Sequence, residues 1–203
     1  MKAMQNGLAT VAIKDKSANP APLGLLGFGL TTFLLNMHNA GIYPMNSMIL
    51  AMGLCYGGLA QIIAGIMENK RGNLFGFIAF ASYGFFWWSF ALLVLLPKMG
   101  YAAAADHKAM GCYLFIWGLF SACMFYGTLL KRAPWALTWV FFTVIVLFML
   151  LAIRHFIDSE ELEVIAGIEG VICGLSAIYL AFGEILNELG GRTVLPIGVR
   201  SPK

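Results

Sequence analysis

The chain has 203 residues and a formal net charge of +3, with 60% hydrophobic and only 11% charged residues. Soluble domains carry about 25% charged residues, so an ordinary water-soluble domain is excluded. A mean hydropathy of +0.81 points to a chain whose solvent is largely lipid.

In chain order, the first 18 residues hold Lys2, Lys14, Asp15 and Lys16 without a continuous apolar core. They do not form a cleavable signal peptide and read as a flexible cytoplasmic leader. Asn19-Pro20-Ala21-Pro22-Leu23-Gly24-Leu25 follows, where a polar leader becomes a span. Proline lacks the N–H that a first helical turn leaves orphaned, and Asn19 offers a side-chain acceptor to the remaining donors. A span of about 20 apolar residues crosses a bilayer. Six such stretches are expected, roughly Pro22–His38, Ser47–Met67, Leu74–Leu96, Ala109–Leu130, Trp135–Ile153 and Val164–Leu186. No strand-like alternation suggests a β-barrel. The expected fold is an all-α membrane protein of six transmembrane helices. Its domain covers 19–190, and a cytoplasmic tail covers 191–203.

Charge placement sets the orientation. Of the 13 Lys and Arg residues, only Lys98, Lys108 and Arg154 fall on one side of this arrangement. The positive-inside bias therefore puts both termini in the cytoplasm. The acidic run Asp158-Ser159-Glu160-Glu161 then reads as part of an outward loop.

Gly53-x-x-x-Gly57 and Gly170-x-x-x-Gly174 are spaced for close helix contact, within one chain or between copies. Polar residues recur on one face of span 1 (Thr32, Asn36, Asn39, in line with Phe28) and on one face of span 6 (Glu169, Cys173, Ser176). Gln61, Ser82, Tyr83 and Thr143 are placed to join them. A polar side chain in a span needs a partner or water. These stripes therefore read as the lining of a narrow pathway, with interhelical hydrogen-bonding as the alternative. Single Ser and Thr residues more often bond back to their own helix. Glu169 is the costliest group, because a bare carboxylate inside a span must be protonated, paired or wet.

The four cysteines (Cys55, Cys112, Cys123, Cys173) lack metal-ligand or CxxC spacing and read as small hydrophobes. His38, His107 and His155 lie at span ends without ligand spacing. No nucleotide, metalloprotease or hydrolase signature occurs, and no basic, aromatic-laced groove suggests nucleic acid. No enzyme activity, metal or cofactor is expected.

Three segments carry a resemblance: the Asn19–Leu25 heptapeptide, Leu34-Leu35-Asn36-Met37-His38-Asn39, and Tyr56-Gly57-Gly58-Leu59-Ala60-Gln61. With the tail from Tyr179 to Gly198, they resemble the acetate uptake transporter family over nearly the whole chain. The resemblance implies a cell-membrane homohexamer, each protomer carrying its own path for acetate and, by extension, succinate. It implies an apolar mid-membrane constriction of Phe28, Tyr83 and Val144. Thr32, Asn36, Asn39, Gln61 and Ser176 are the candidate substrate contacts, and Ala177 is the position tied to substrate range. Glu169 and the acidic stretch 158–163 depart from the family pattern, which makes them candidates for proton coupling (Glu169 above all), for subunit contact or for cation recruitment. The rival reading is a conduit for ammonia or another small solute.

Overall fold

A computed structural model describes residues 17–200; most of the expected leader lies outside the described residues. The described residues form six helices and no strand: α1 (Ala21–Asn39), α2 (Ser47–Lys70), α3 (Leu74–Lys98), α4 (His107–Leu130), α5 (Trp135–Ile157) and α6 (Glu160–Gly190). All except α1, which has 19 residues, are long and apolar enough to cross a membrane.

Short polar side chains set most helix starts. Asn19 Oδ1 accepts from Ala21 N at 3.1 Å, Asn46 Oδ1 from Met48 N at 3.0 Å, and Asn73 Oδ1 from Gly76 N at 3.3 Å. Asp106 and Ser159 do the same for α4 and α6. Each satisfies a donor that helix geometry leaves without a partner. Helix α5 has no such side chain. Its first two N–H groups instead donate to the tail, Trp135 N to Gly198 O at 2.9 Å and Ala136 N to Ile197 O at 3.1 Å. The tail is folded back for this purpose. Asn187 Oδ1 accepts from Val194 N and Leu195 N, Tyr179 Oη donates to Pro196 O, and the Arg200 guanidinium stacks 3.6 Å above the Trp135 ring.

The structure corrects the reading of the acidic stretch. Glu160, Glu161 and Glu163 are not in a loop but in the first turn of α6, which begins before the expected Val164. Ser159 caps the helix, and acidic side chains are favoured at its positive end. Only Asp158, in the left-handed region at φ 53°, and Ser159 separate α5 from α6. Glu163 also pairs with Arg154, and Asp158 with His107 at 3.0 Å, tying α4, α5 and α6 at this end. His38 is held locally, with Nδ1 3.0 Å from the Tyr43 carbonyl.

Helices α1 and α6 lie antiparallel and very close. A methyl group at Gly167 would sit 2.2 Å from the Ala40 nitrogen, one at Gly170 2.1 Å from Asn36 Cγ, and one at Gly174 2.8 Å from Gly29 O. The small-residue spacing of α6 thus serves a contact within the chain. In α2 the stretch Gly53–Ala60 is wound as a π-helix that ends directly before Gln61. Its glycines admit the Trp87 ring, whose Cγ would lie 2.8 Å from a methyl at Gly57. Wide turns of this kind recur beside functional sites.

Candidate functional site

A cavity of about 330 Å³ opens at the end of the bundle that carries Asn19 and the last turn of α6. At its mouth stand two cations, Arg71 and Lys131, and two carboxylates, Glu68 and Glu184. Lys131 Nζ lies 4.8 Å from the centre of the Phe75 ring, a cation–π contact that fixes it over the opening. Glu68 is buried and accepts from Asn73 Nδ2 at 2.8 Å. Glu184 accepts from Asn19 Nδ2 at 3.0 Å, and Arg71 reaches Ala18 O and Asn19 Oδ1. The two asparagines therefore repeat one arrangement: the amide oxygen caps a helix while the amide nitrogen holds a carboxylate, buried for Glu68 and half-buried for Glu184.

Deeper in, the lining becomes apolar and aromatic. Phe28 of α1, Tyr83 of α3 and Val144 of α5 are 7%, 4% and 2% exposed and all border the cavity. The Phe28 and Tyr83 ring centres are 5.7 Å apart. Tyr83 also packs against Phe120 and Phe141, with ring centres 5.4 and 6.2 Å away. Its hydroxyl lies 2.8 Å from Ser121 Oγ, and Ser121 donates its own proton to Trp117 O at 2.7 Å. Tyr83 is therefore the donor, and the bond pins its ring beside Phe28. Ser121 was not singled out from the sequence, because a lone serine in a span carries no signal of a partner on another helix.

Gln61, at the end of the π-helical stretch, is 1% exposed and lines the same cavity with an amide oxygen that has no hydrogen-bond partner among the described residues. A buried acceptor without a donor is costly, so this oxygen is poised for one brought from outside. Gln61 thus joins Phe28, Tyr83 and Val144 around one space.

The other candidates lie elsewhere. Asn36 fills the notch over Gly170, donating to Thr32 O at 2.9 Å and accepting from Asn39 Nδ2 at 3.0 Å. This ladder runs inside the α1–α6 contact and is not part of the cavity lining. Thr32 Oγ1 and Glu169 Oε2 are buried without a partner among the described residues. Ala177 is fully buried. Ser176 donates to Cys173 O and borders a separate aromatic cleft with Trp135, Trp139 and Phe142. Thr143 bonds back to Trp139 O and Val140 O. The mouth charges escaped sequence reasoning because Asn19, Glu68, Lys131 and Glu184 are far apart in the chain. Their only sequence signal is polarity at the ends of apolar segments, which solvated ends share.

Residues 1–196 match the model of the GPR1/FUN34/yaaH family. The chain belongs to this family. Among its members, the succinate-acetate/proton symporter SatP of Escherichia coli K12 is 54% identical over 183 residues, covering 90% of this chain and 96% of that protein. The solved structure of the bacterial acetate channel SatP matches with a TM-score of 0.88 at 54% identity, over 90% of this chain and 100% of that one. The family also includes a yeast relative, ammonia transport outward protein 2 of Saccharomyces cerevisiae, 40% identical over 90% of this chain and 66% of its own length. Family membership therefore places this chain among membrane transporters and channels rather than enzymes.

Proposed function

We propose that the protein is a multi-pass cell-membrane transporter of acetate, and also of succinate, driven by a proton or by the substrate gradient. It spans the membrane six times, with the leader of residues 1–18, the tail and the cavity mouth on the cytoplasmic side. The copies assemble as a homohexamer with one path per protomer. The observation that carries this reading is that one cavity is lined both by Arg71 and Lys131 at its mouth and by the Phe28–Tyr83–Val144 cluster, in a chain 54% identical to a symporter of these substrates.

In this reading the apolar cluster is the constriction. It forces a carboxylate to shed water, which favours a small acid over a hydrated ion. Gln61, with its free amide oxygen, receives the acid group on one side of the rings. Thr32, Asn36 and Asn39 continue the path on the other side, and the unpartnered Thr32 hydroxyl oxygen supports their inclusion. Ala177, fully buried, tunes the width of the path. Ser176 faces away into the aromatic cleft and is left out. Mixed charge at the mouth attracts an anion without a fixed surplus that would trap it, as conduction requires.

The test is entry of labelled acetate and succinate into proteoliposomes with and without an inward proton gradient, compared with protein-free vesicles. Carrier-dependent entry of both is expected, and its absence overturns the reading. Competition by ammonium rather than by propionate or formate would instead favour an ammonia conduit. Glu169, partly buried on α6, is the proposed proton-coupling group on the outer side. Glu169→Gln is expected to flatten the pH dependence of uptake, whereas a profile identical to the parent removes Glu169 from the mechanism.

A further inference from the structure

The mouth of the cavity is charge-balanced in a way that a single proton would tip. Four charged side chains line it, Arg71 and Lys131 against Glu68 and Glu184. With both carboxylates ionised they cancel. Glu68, 3% exposed, is enclosed against Asn73 at the start of α3. Glu184 is half-buried, and its partner Asn19 is shared with the exposed Arg71. Glu188, one turn further along α6, is exposed at the end of the helix. Of the two mouth carboxylates, Glu184 is therefore the one both within reach of the opening and sheltered by the bundle. The buried amide oxygen of Gln61, without a partner among the described residues, borders the same space, so the cavity also offers an acceptor to an entering donor such as the O–H of a carboxylic acid.

We propose that Glu184 is the inner proton station of transport, and that its protonation and the binding of the substrate carboxylate at the mouth occur together. This rests on the reading above that the chain carries small carboxylates. A neutral acid arriving from the constriction gives its proton to the Glu184 carboxylate: the acid O–H bond breaks and an O–H bond forms on Glu184. The mouth then holds Arg71 and Lys131 against Glu68 alone, and the surplus positive charge retains the new carboxylate anion. Loss of the Glu184 proton to cytoplasmic water restores the balance and releases the anion. The reverse sequence loads both for export. Because coupling between two sites is reciprocal, the bound anion in turn favours the protonated form of Glu184. Glu169 and Glu184 are 15 residues apart on α6, about 22 Å along a helix, which puts the two proposed proton sites on opposite sides of the constriction.

The test is Glu184→Gln, which keeps an oxygen to accept from Asn19 Nδ2 and removes only the titrating group. In proteoliposomes, labelled succinate is the probe, since its dianion does not cross a bare bilayer. Succinate–succinate exchange and gradient-driven entry are measured for both proteins from pH 6 to 8; the titration of succinate itself is common to both and cancels in their ratio. The variant is expected to retain exchange within about twofold at pH 6. Its exchange is expected to fall relative to the parent as pH increases, because less of the acid is already protonated by water and the glutamine can neither take nor return the proton, and its stimulation by an inward proton gradient is expected to fall at least tenfold. Glu184→Asp, which restores a carboxyl, is expected to recover stimulation. Gradient stimulation equal to the parent overturns the proposal, as does loss of exchange at pH 6 together with driven entry. A parent protein that carries no succinate would overturn the transport reading itself.

Discussion

Phe28→Ala is expected to raise entry of larger monocarboxylates, such as butyrate, about tenfold relative to acetate. The Phe28 ring is buried, borders the cavity and faces Tyr83 at 5.7 Å, while Tyr83 is fixed by Ser121 and three further aromatic rings. Removing the Phe28 ring leaves the tethered Tyr83 in place and widens the passage. A tenfold change needs only about 1.4 kcal/mol less barrier, well within what a lost phenyl ring provides. The same substitution is expected to cost about 3 kcal/mol of stability through the cavity it leaves. Phe28→Leu, which fills part of the volume, separates the two effects. The measurement is the butyrate-to-acetate uptake ratio in proteoliposomes, normalised to folded protein. An unchanged ratio removes Phe28 from the constriction.

The largest stability effect is expected at Gly167. A methyl group there would lie 2.2 Å from the Ala40 nitrogen and 2.6 Å from the Asn39 carbonyl carbon. Both are backbone atoms that cannot rotate away, so α1 and α6 must part. Gly118 provides the contrast: a methyl there would meet Met149 Cε at 2.6 Å, the far end of a flexible side chain. Overpacking commonly costs about 1–3 kcal/mol, and Gly167→Ala belongs at or above the upper end. At about 2–4 °C per kcal/mol for a chain of this size, thermal unfolding in detergent is expected to fall by roughly 10 °C. Gly118→Ala is expected to shift by a small fraction of that. Equal shifts for the two variants would contradict the close α1–α6 crossing.

The Asn36 ladder shows where sequence reasoning stopped. Helical spacing correctly places Thr32, Asn36 and Asn39 on one face of α1. Spacing cannot say what that face meets, and the glycines of α6 decide it by leaving a notch that Asn36 fills. Ser176 is a parallel case, polar and on the expected helix but turned to the aromatic cleft. The acidic stretch failed for a different reason. Four consecutive polar residues suit a loop, but the Ser159 cap and the preference of acids for a helix start favour an earlier first turn.

By itself the sequence determined the helical membrane class, the approximate limits of the helices and the family, through Asn19–Leu25 and the motifs that follow it. These depend on local properties, namely apolar length, caps and contiguous motifs, which the chain carries wherever it folds. The tertiary structure alone decided which side chains share a space. Gln61 with Phe28, Tyr83 and Val144, and Glu184 with Asn19 and Lys131, meet only because six helices each take one rotation and one depth. That choice is set by close packing between distant segments, above all the α1–α6 glycine contact, and close packing is a property of pairs of surfaces that no single segment encodes.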